Sequence, residues 1–185
     1  MNKKKRQKIL VTGGSGFIGS AITNYLVKNG HSVTVFDNNS RGKLRRLKDV
    51  LSKIKFKKGD IRDYKKLQSI GGNFDTVIHL AYVNGTKFFY KKPFEILDIA
   101  ANGLLNILRF SKEKKVKNFY LASSSEVYQN PIRFPTDESE MLKIPDIHNP
   151  RYSYGGGKIF SELYGIHFAK KYFKKFIIFR PHNVY

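Results

Sequence analysis

Two stretches hold residue types whose spacing can do chemistry. The first is Thr12-Gly13-Gly14-Ser15-Gly16-Phe17-Ile18-Gly19, with glycine at every third position from 13 to 19. Where such a run joins a strand to a helix, Gly13 permits a tight turn. Gly16 lets the backbone approach a pyrophosphate with no Cβ in the way, and Gly19 permits close helix–strand packing. The helix that follows aims free N–H groups and the positive end of its dipole at the phosphates. Phe17 and Ile18, inside the run, count among the cofactor contacts. The second stretch is Tyr154-Gly155-Gly156-Gly157-Lys158. At the start of a helix, the i, i+4 spacing puts phenol and ammonium on one face. A nearby cation favours the phenolate. That phenolate can take a proton from a hydroxyl while hydride leaves the same carbon. Each glycine inside a helix costs roughly 1 kcal/mol relative to alanine, so a ligand or another backbone is expected to pass close by.

Two shorter groups extend these. Asp37 closes the second apolar stretch. A carboxylate there accepts hydrogen bonds from adenine-ribose hydroxyls and repels a 2′-phosphate, which predicts NAD rather than NADP. Its neighbour Asn38 is placed in the same contact. Arg41 is near enough to reach a phosphate, and the plainer role for Asp37 is a loop cap. Ser123-Ser124-Ser125-Glu126-Val127-Tyr128 follows the fifth apolar stretch. A serine there can hydrogen-bond the same reacting hydroxyl. The alternative is an ordinary hydroxyl-rich turn with Glu126 solvated. Gly157-Lys158 resembles the end of a Walker A loop, but Ile159 replaces the required Ser/Thr and Tyr152 stands where the first glycine belongs.

The elements that must hold these groups are legible as alternating apolar and helix-period stretches, which predict βαβ units and a parallel sheet. Strands are expected at 8–12, 32–37, 54–58, 76–80, 118–123 and 176–180. A helix over 16–29 carries the stripe Ile18, Ala21, Ile22, Tyr25 and Leu26, and Gly30 ends it. A short helix is expected over 43–52. A long one starts at Pro93 with the stripe Leu97, Ala100, Ala101, Leu104, Leu105 and Leu108, and another spans 153–171. Right-handed crossovers wind these into an α/β Rossmann fold, a doubly wound sheet of order 3-2-1-4-5-6 with helices on both faces.

Composition narrows the classes. The chain has 185 residues, 41% of them apolar, which suits one domain with a real core. The apolar runs are too short to span a membrane. Met1 to Lys8 is basic like the start of a signal peptide, but Ile9–Val11 is too short an apolar stretch, so a cytoplasmic protein is expected. Cysteine is absent, which excludes disulfides, thiolate zinc sites and thiol nucleophiles, and no metal site is expected. The net charge of +21 favours polyanionic partners. Its lysines lie in scattered groups with no nucleic-acid signature, so nucleic acid is not the expected partner.

VTGGSGFIGS, VTVFDNNSRG, GDIRD, VIHLAY, YLASSSEVY, NPRYSYGGGK and FRPHNVY run in order from residue 9 to 185. Together they resemble the extended short-chain dehydrogenase/reductases, the NAD-dependent epimerase/dehydratase family. The resemblance implies bound NAD and a nucleoside-diphosphate sugar, oxidised transiently at C4 through a Ser/Tyr/Lys site. It assigns Ser124, Tyr154, Lys158 and Glu126 to catalysis. It places Asp60 and Ile61 at the adenine, and Leu80 and Ala81 at the cofactor's ribose and phosphate. Ser124, Ser125 and Asn183 would face the substrate. A homodimer through helices 93–112 and 153–171 is implied, as is a C-terminal substrate domain beyond residue 185. An acid at Glu126 also suits a uronate decarboxylase, as does Asn149-Pro150-Arg151, and a non-catalytic NAD-binding regulator shares the fold. Two departures stand out: Tyr82 falls where relatives usually have a small residue, and Ala100 where many have Asn.

Overall fold

A computed structural model describes residues 5–184. Its six strands are all parallel, in the order β3-β2-β1-β4-β5-β6. They are β1 Lys8–Thr12, β2 Ser32–Asp37, β3 Lys55–Lys58, β4 Thr76–His79, β5 Asn118–Ala122 and β6 Lys175–Phe179. The predicted sheet order holds. Helices α1 Phe17–Lys28, α2 Tyr64–Gln68, α3 Thr86–Lys91, α4 Pro93–Asp98, α5 Leu104–Glu113 and α6 Ser153–Tyr172 make the connections. Residues Tyr185 and Met1–Lys4, with the basic start and the domain expected beyond residue 185, lie outside the described residues.

Alternate side chains of each strand feed opposite faces. On β1, Ile9 and Val11 join Val33, Val35, Leu47 and Val50 on one face. Leu10 joins Val77, Phe119, Leu121 and the inner sides of α2 and α5 on the other. Both faces are covered, so the central strands are apolar throughout rather than alternating. The edge strand β3 instead exposes Lys55, Lys57 and Lys58. Lysines on an edge discourage pairing with another chain, so part of the positive charge has a structural use.

Three expectations need correction. The face that α1 buries is not the predicted stripe but Gly19, Ser20 and Thr23, while Tyr25 is exposed. Small residues win there because the helix lies hard against the glycine loop: Ser20 Oγ donates to Phe17 O and Thr23 Oγ1 to Gly14 O. Residues 43–52 form two separate 3-10 turns, Leu44–Leu47 and Leu51–Lys53, rather than an α-helix. The long helix from Pro93 is interrupted by a π-helical stretch, Ile99–Gly103. Of the predicted stripe, Ala100, Leu104 and Leu108 are buried and Leu97 is exposed, while Ile96, Ile99 and Ile107 join the buried face.

Candidate active site

The strands β1 and β4 lie side by side, although β1 connects in sequence to β2 on its other flank. Connections leave in opposite directions here, and the carboxyl ends open a crevice. A cleft of about 820 Å³ sits at this point.

The glycine turn forms one wall. Gly13 has φ +73°, and a Cβ there would lie 2.7 Å from Ala81 N, at the end of β4. A Cβ on Gly19 would lie 2.1 Å from Gly13 O. Gly19 therefore seats α1 against the turn itself rather than against a strand. The strand contact falls to Gly14, whose Cβ would meet Val35 Cγ1 at 2.8 Å. Gly16 caps α1 with no side-chain hydrogen bond. Among the described residues a Cβ there would have one close neighbour, Gly13 O at 3.1 Å, which leaves backbone open to the cleft.

Asp37 is buried at the tip of β2. Its Oδ2 accepts Ser15 N–H at 2.9 Å and its Oδ1 accepts Asn39 N–H at 2.8 Å. It does cap the loop, and it lines the cleft as well. A carboxylate offers about four lone-pair directions, so two remain for ribose hydroxyls. Arg41 also lines the cleft, donating to Asn84 O with its guanidinium over the Phe88 ring. Asn38 donates to Asp60 Oδ2 at 3.1 Å. Arg62 grips the same carboxylate and holds Asp60 below the usual carboxylate range.

The opposite wall is the tip of α6. Tyr154 and Lys158 are both buried within the helix, not on a surface loop. The neighbours expected beside the glycines are present. A Cβ on Gly155 would lie 3.0 Å from Glu126 O, and one on Gly157 would lie 2.3 Å from Tyr82 Oη. Phe89 of α3 stacks on Tyr154 with ring centroids 5.0 Å apart, and Tyr82 meets it edge-on at 5.2 Å.

The charges differ from the simple expectation that Lys158 favours a phenolate. Burial pushes the Tyr154 phenol up, while the Ser124 hydroxyl beside it acts in the opposite sense. Lys158 Nζ donates to Ala122 O at 2.8 Å. Burial lowers the Lys158 ammonium to about 7, against the pull of Glu162. His79, deep below, bonds Thr12 Oγ1 at 2.7 Å. Burial keeps it neutral, down at about 3.

Glu126 is not a free solvated carboxylate. Arg151 Nη2 donates to both its oxygens, at 3.2 and 2.9 Å. Arg151 Nη1 is buried with no hydrogen-bond partner among the described residues. Ser125 and Glu126 line both the cleft and a second, open cavity that Arg151 and Arg180 border. Arg180 is clamped by the buried Glu162 through Nε–Oε1 at 2.9 Å and Nη2–Oε2 at 2.6 Å. Asn183 is exposed at the cleft mouth.

One cleft thus collects every residue the sequence assigns to catalysis, cofactor or substrate: Gly13, Gly16, Phe17, Ile18, Gly19, Asp37, Asn38, Asp60, Ile61, Leu80, Ala81, Ser124, Ser125, Glu126, Tyr154, Lys158 and Asn183. Sequence reasoning left out the Arg151 partner of Glu126, the Arg180–Glu162 clamp, and Ser123, whose buried hydroxyl has no partner among the described residues. Their only signal was an Asn-Pro-Arg and an Arg-Pro beside known motifs. A dinucleotide fits the cleft: bare backbone at Gly16, a helix N-terminus, an acid with spare lone pairs, and the unpartnered Ser123 hydroxyl. Among the described residues, no helix is long and apolar enough to cross a membrane.

Comparison with known proteins agrees with this geometry. A solved UDP-glucose 4-epimerase from Thermotoga maritima, crystallised with UDP-glucose, is 32% identical with a TM-score of 0.86, over 96% of this chain and 56% of that one. A UDP-glucose 4-epimerase from Brucella ovis, solved with NAD, is 27% identical with a TM-score of 0.83, over 95% of this chain and 52% of that one. UDP-glucuronic acid decarboxylase 1 of Danio rerio is 32% identical over 162 residues, 88% of this chain and 38% of its own length. The chain therefore spans between 38% and 56% of the length of these three. The sequence profile of the NAD dependent epimerase/dehydratase family matches residues 9–185, and the chain belongs to that family.

Proposed function

We propose that the protein binds NAD in this cleft and acts on a nucleoside-diphosphate sugar, transiently oxidising the sugar at C4 as an epimerase or dehydratase. The observation that carries this is the convergence of the glycine turn and the Tyr154 hydroxyl on one crevice at the β1/β4 switch point. When bound, NAD supplies reversible two-electron oxidation of an alcohol carbon. Asp37 holds the adenine ribose, and its carboxylate repels a 2′-phosphate, which favours NAD over its 2′-phosphorylated form although Arg41 lines the same cleft. Tyr154 Oη exchanges the proton of the C4 hydroxyl, and Ser124 shares that hydrogen bond and keeps the hydroxyl in line. Lys158 places its charge beneath the same helical face. Ser125 and Asn183 meet the substrate from the far side of the cleft.

A specific feature favours a second reading, decarboxylation of a uronate sugar. Glu126 and Arg151 put a carboxylate and a partly unpartnered guanidinium beside Tyr154. A C4 ketone makes the neighbouring C5 proton acidic and makes a C6 carboxylate a leaving group. The sugars separate the readings. The protein is incubated with NAD and with UDP-, dTDP-, GDP- and CDP-linked hexoses and hexuronates, and products are read by mass and NMR. An unchanged mass with an inverted C4 marks an epimerase, loss of water a dehydratase, and loss of CO2 from a hexuronate a decarboxylase. No turnover of any of them would overturn both readings and leave a non-catalytic NAD-binding regulator.

The same proposal extends to assembly. α4 and α6 expose Phe94, Leu97, Leu163, Tyr164 and Ile166. Exposed apolar patches of this kind mark interaction sites, and a homodimer across these helices would cover them. Sedimentation equilibrium reads this directly: a monomer at micromolar concentration would sink it.

A further inference from the structure

Tyr82 occupies a place that the chemistry above leaves unused. It follows β4 on the strand-end loop and lines the cleft, where the family resemblance leads one to expect a small side chain. Its ring lies under Lys158, with Nζ 3.8 Å from the ring centroid. The Tyr154 ring is farther from the same ammonium, at 5.7 Å. Tyr82 also meets Tyr154 edge-to-face, with an interplanar angle of 86°. Its hydroxyl is buried without a hydrogen-bond partner among the described residues. Room for that hydroxyl exists only because residue 157 lacks a Cβ, which would lie 2.3 Å from Tyr82 Oη and 2.8 Å from Ala100 Cβ. The three small or displaced features form one arrangement: a glycine on α6, an alanine in the π-helical stretch, and a tyrosine seated between them.

We propose that Tyr82 is a positioning residue of the acid–base site, whose ring face holds the Lys158 side chain and its positive charge in place. The proposal rests on the reading of Lys158 as the ammonium of that site. A buried lysine tends to shed its proton. An ammonium against the face of an aromatic ring is attracted by the ring's quadrupole, and more so when desolvated. Around Lys158 few other groups can do this. Glu162, on the same helix, favours the ammonium electrostatically, but both its oxygens are engaged by Arg180. His79, from β4, is neutral and bonded to Thr12. Tyr154 carries no charge while its phenol keeps its proton. The Ala122 carbonyl supplies one hydrogen bond from β5. The Tyr82 ring, the nearer of two aromatic rings to Nζ, adds to the pull of Glu162. The hydroxyl is incidental: it fills the notch at Gly157 and finds no partner there.

The test alters the ring's electrons without altering its shape. Phenylalanine and its 4-fluoro, 3,5-difluoro and 3,4,5-trifluoro forms are placed at position 82. The pH titration of Lys158 is followed by its 13Cε shift in lysine-labelled protein, assigned with Lys158→Met. Tyr82→Phe is expected to keep the Lys158 midpoint, since the ring face is retained. Each added fluorine is expected to lower it, reaching about one pH unit for the trifluoro ring. Tyr82→Leu keeps the pocket dry and is expected to fall by a similar amount. A flat fluorine series, or a Tyr82→Phe midpoint as low as that of Tyr82→Leu, would overturn the proposal. Because the midpoint is read without any sugar, failure of the proposed sugar chemistry leaves this result intact, and the reverse holds too.

Discussion

The cleft has two halves that work by different physics. In the β1–β2 half, Asp37 meets the ribose, but the groups facing the phosphates are bare backbone, and there what matters is the absence of side-chain atoms. The contacts that a Cβ on Gly13, Gly14 or Gly19 would make, at 2.7, 2.8 and 2.1 Å, leave no room for adjustment. In the β5–α6 half, the groups are buried or half-buried side chains held by neighbours from other elements. Tyr154, Lys158, Glu126 and Arg180 each depend on a partner reached through the fold. The first half should therefore couple binding to stability. The second should separate activity from stability.

The sharpest break in that comparison is Gly19→Ala. The new methyl meets the Gly13 carbonyl, which is backbone and cannot rotate away. Forcing extra atoms into a packed site costs roughly 1–3 kcal/mol, and a chain of this length loses about 2–4 °C in Tm per kcal/mol. Moving the turn also misaligns the helix N-terminus, so NAD affinity measured by calorimetry should fall together with Tm measured by scanning fluorimetry. A variant that loses neither would show that the turn is not the rigid cradle described.

Tyr154→Phe should do the reverse. It removes one hydroxyl and keeps the stacking on Phe89 and the edge contact with Tyr82. Removal of a general acid–base group costs typically ~10²–10⁴-fold in rate. Turnover of whichever sugar the screen identifies should drop by that range, with Tm and NAD affinity close to those of the parent. Comparable turnover in the variant would refute the role given to the phenol.

Glu126→Gln has a smaller effect and sharpens the choice of reaction. It dissolves the ion pair with Arg151 and leaves a guanidinium with fewer partners. A dehydratase that uses Glu126 to take the C5 proton should slow by ~10²-fold or more. A 4-epimerase needs no base there and should change only a few-fold. The ratio of the two activities, read on a hexose whose product is known, discriminates between them.

How far the sequence foretold this molecule differs between the halves for the same reason. The glycine turn, Asp37 and the strand order are local signals, written within a few residues of one another. Tyr154 and Lys158 were legible because one helical turn joins them. The Glu126–Arg151 and Arg180–Glu162 pairs lie 25 and 18 positions apart. Pairs so distant leave no periodicity. The inward face of α1 misled because hydrophobicity reports what prefers burial, not how close a helix must come: Gly19, Ser20 and Thr23 are there for their size. Helix α3 gave no clear pattern, yet it delivers Phe89 to Tyr154. The seat of Tyr82 needed three separated positions at once: 82, 100 and 157.

The last contrast concerns pH, and its sign follows from two buried bases. Lys158 titrates at about 7 when folded, against 10.5 for a free lysine. Between those values the unfolded chain holds a proton that the folded chain has released, so stability rises with pH across the window. Below about 7 both states are protonated and the cost of burying the charge is present in full. His79, lowered from 6.5 to about 3, adds a second rise across that lower window, because only the unfolded chain protonates there. Lys158→Met removes the upper window. It should raise Tm at pH 7 by roughly 5 °C, with the gain fading toward pH 10, while turnover is lost. A glycine-half variant such as Gly19→Ala should instead lower Tm by a similar amount at every pH. If Lys158→Met is less stable than the parent at neutral pH, the lysine is not the strained, functional charge that its burial implies, and the division between the two halves fails at its most charged residue.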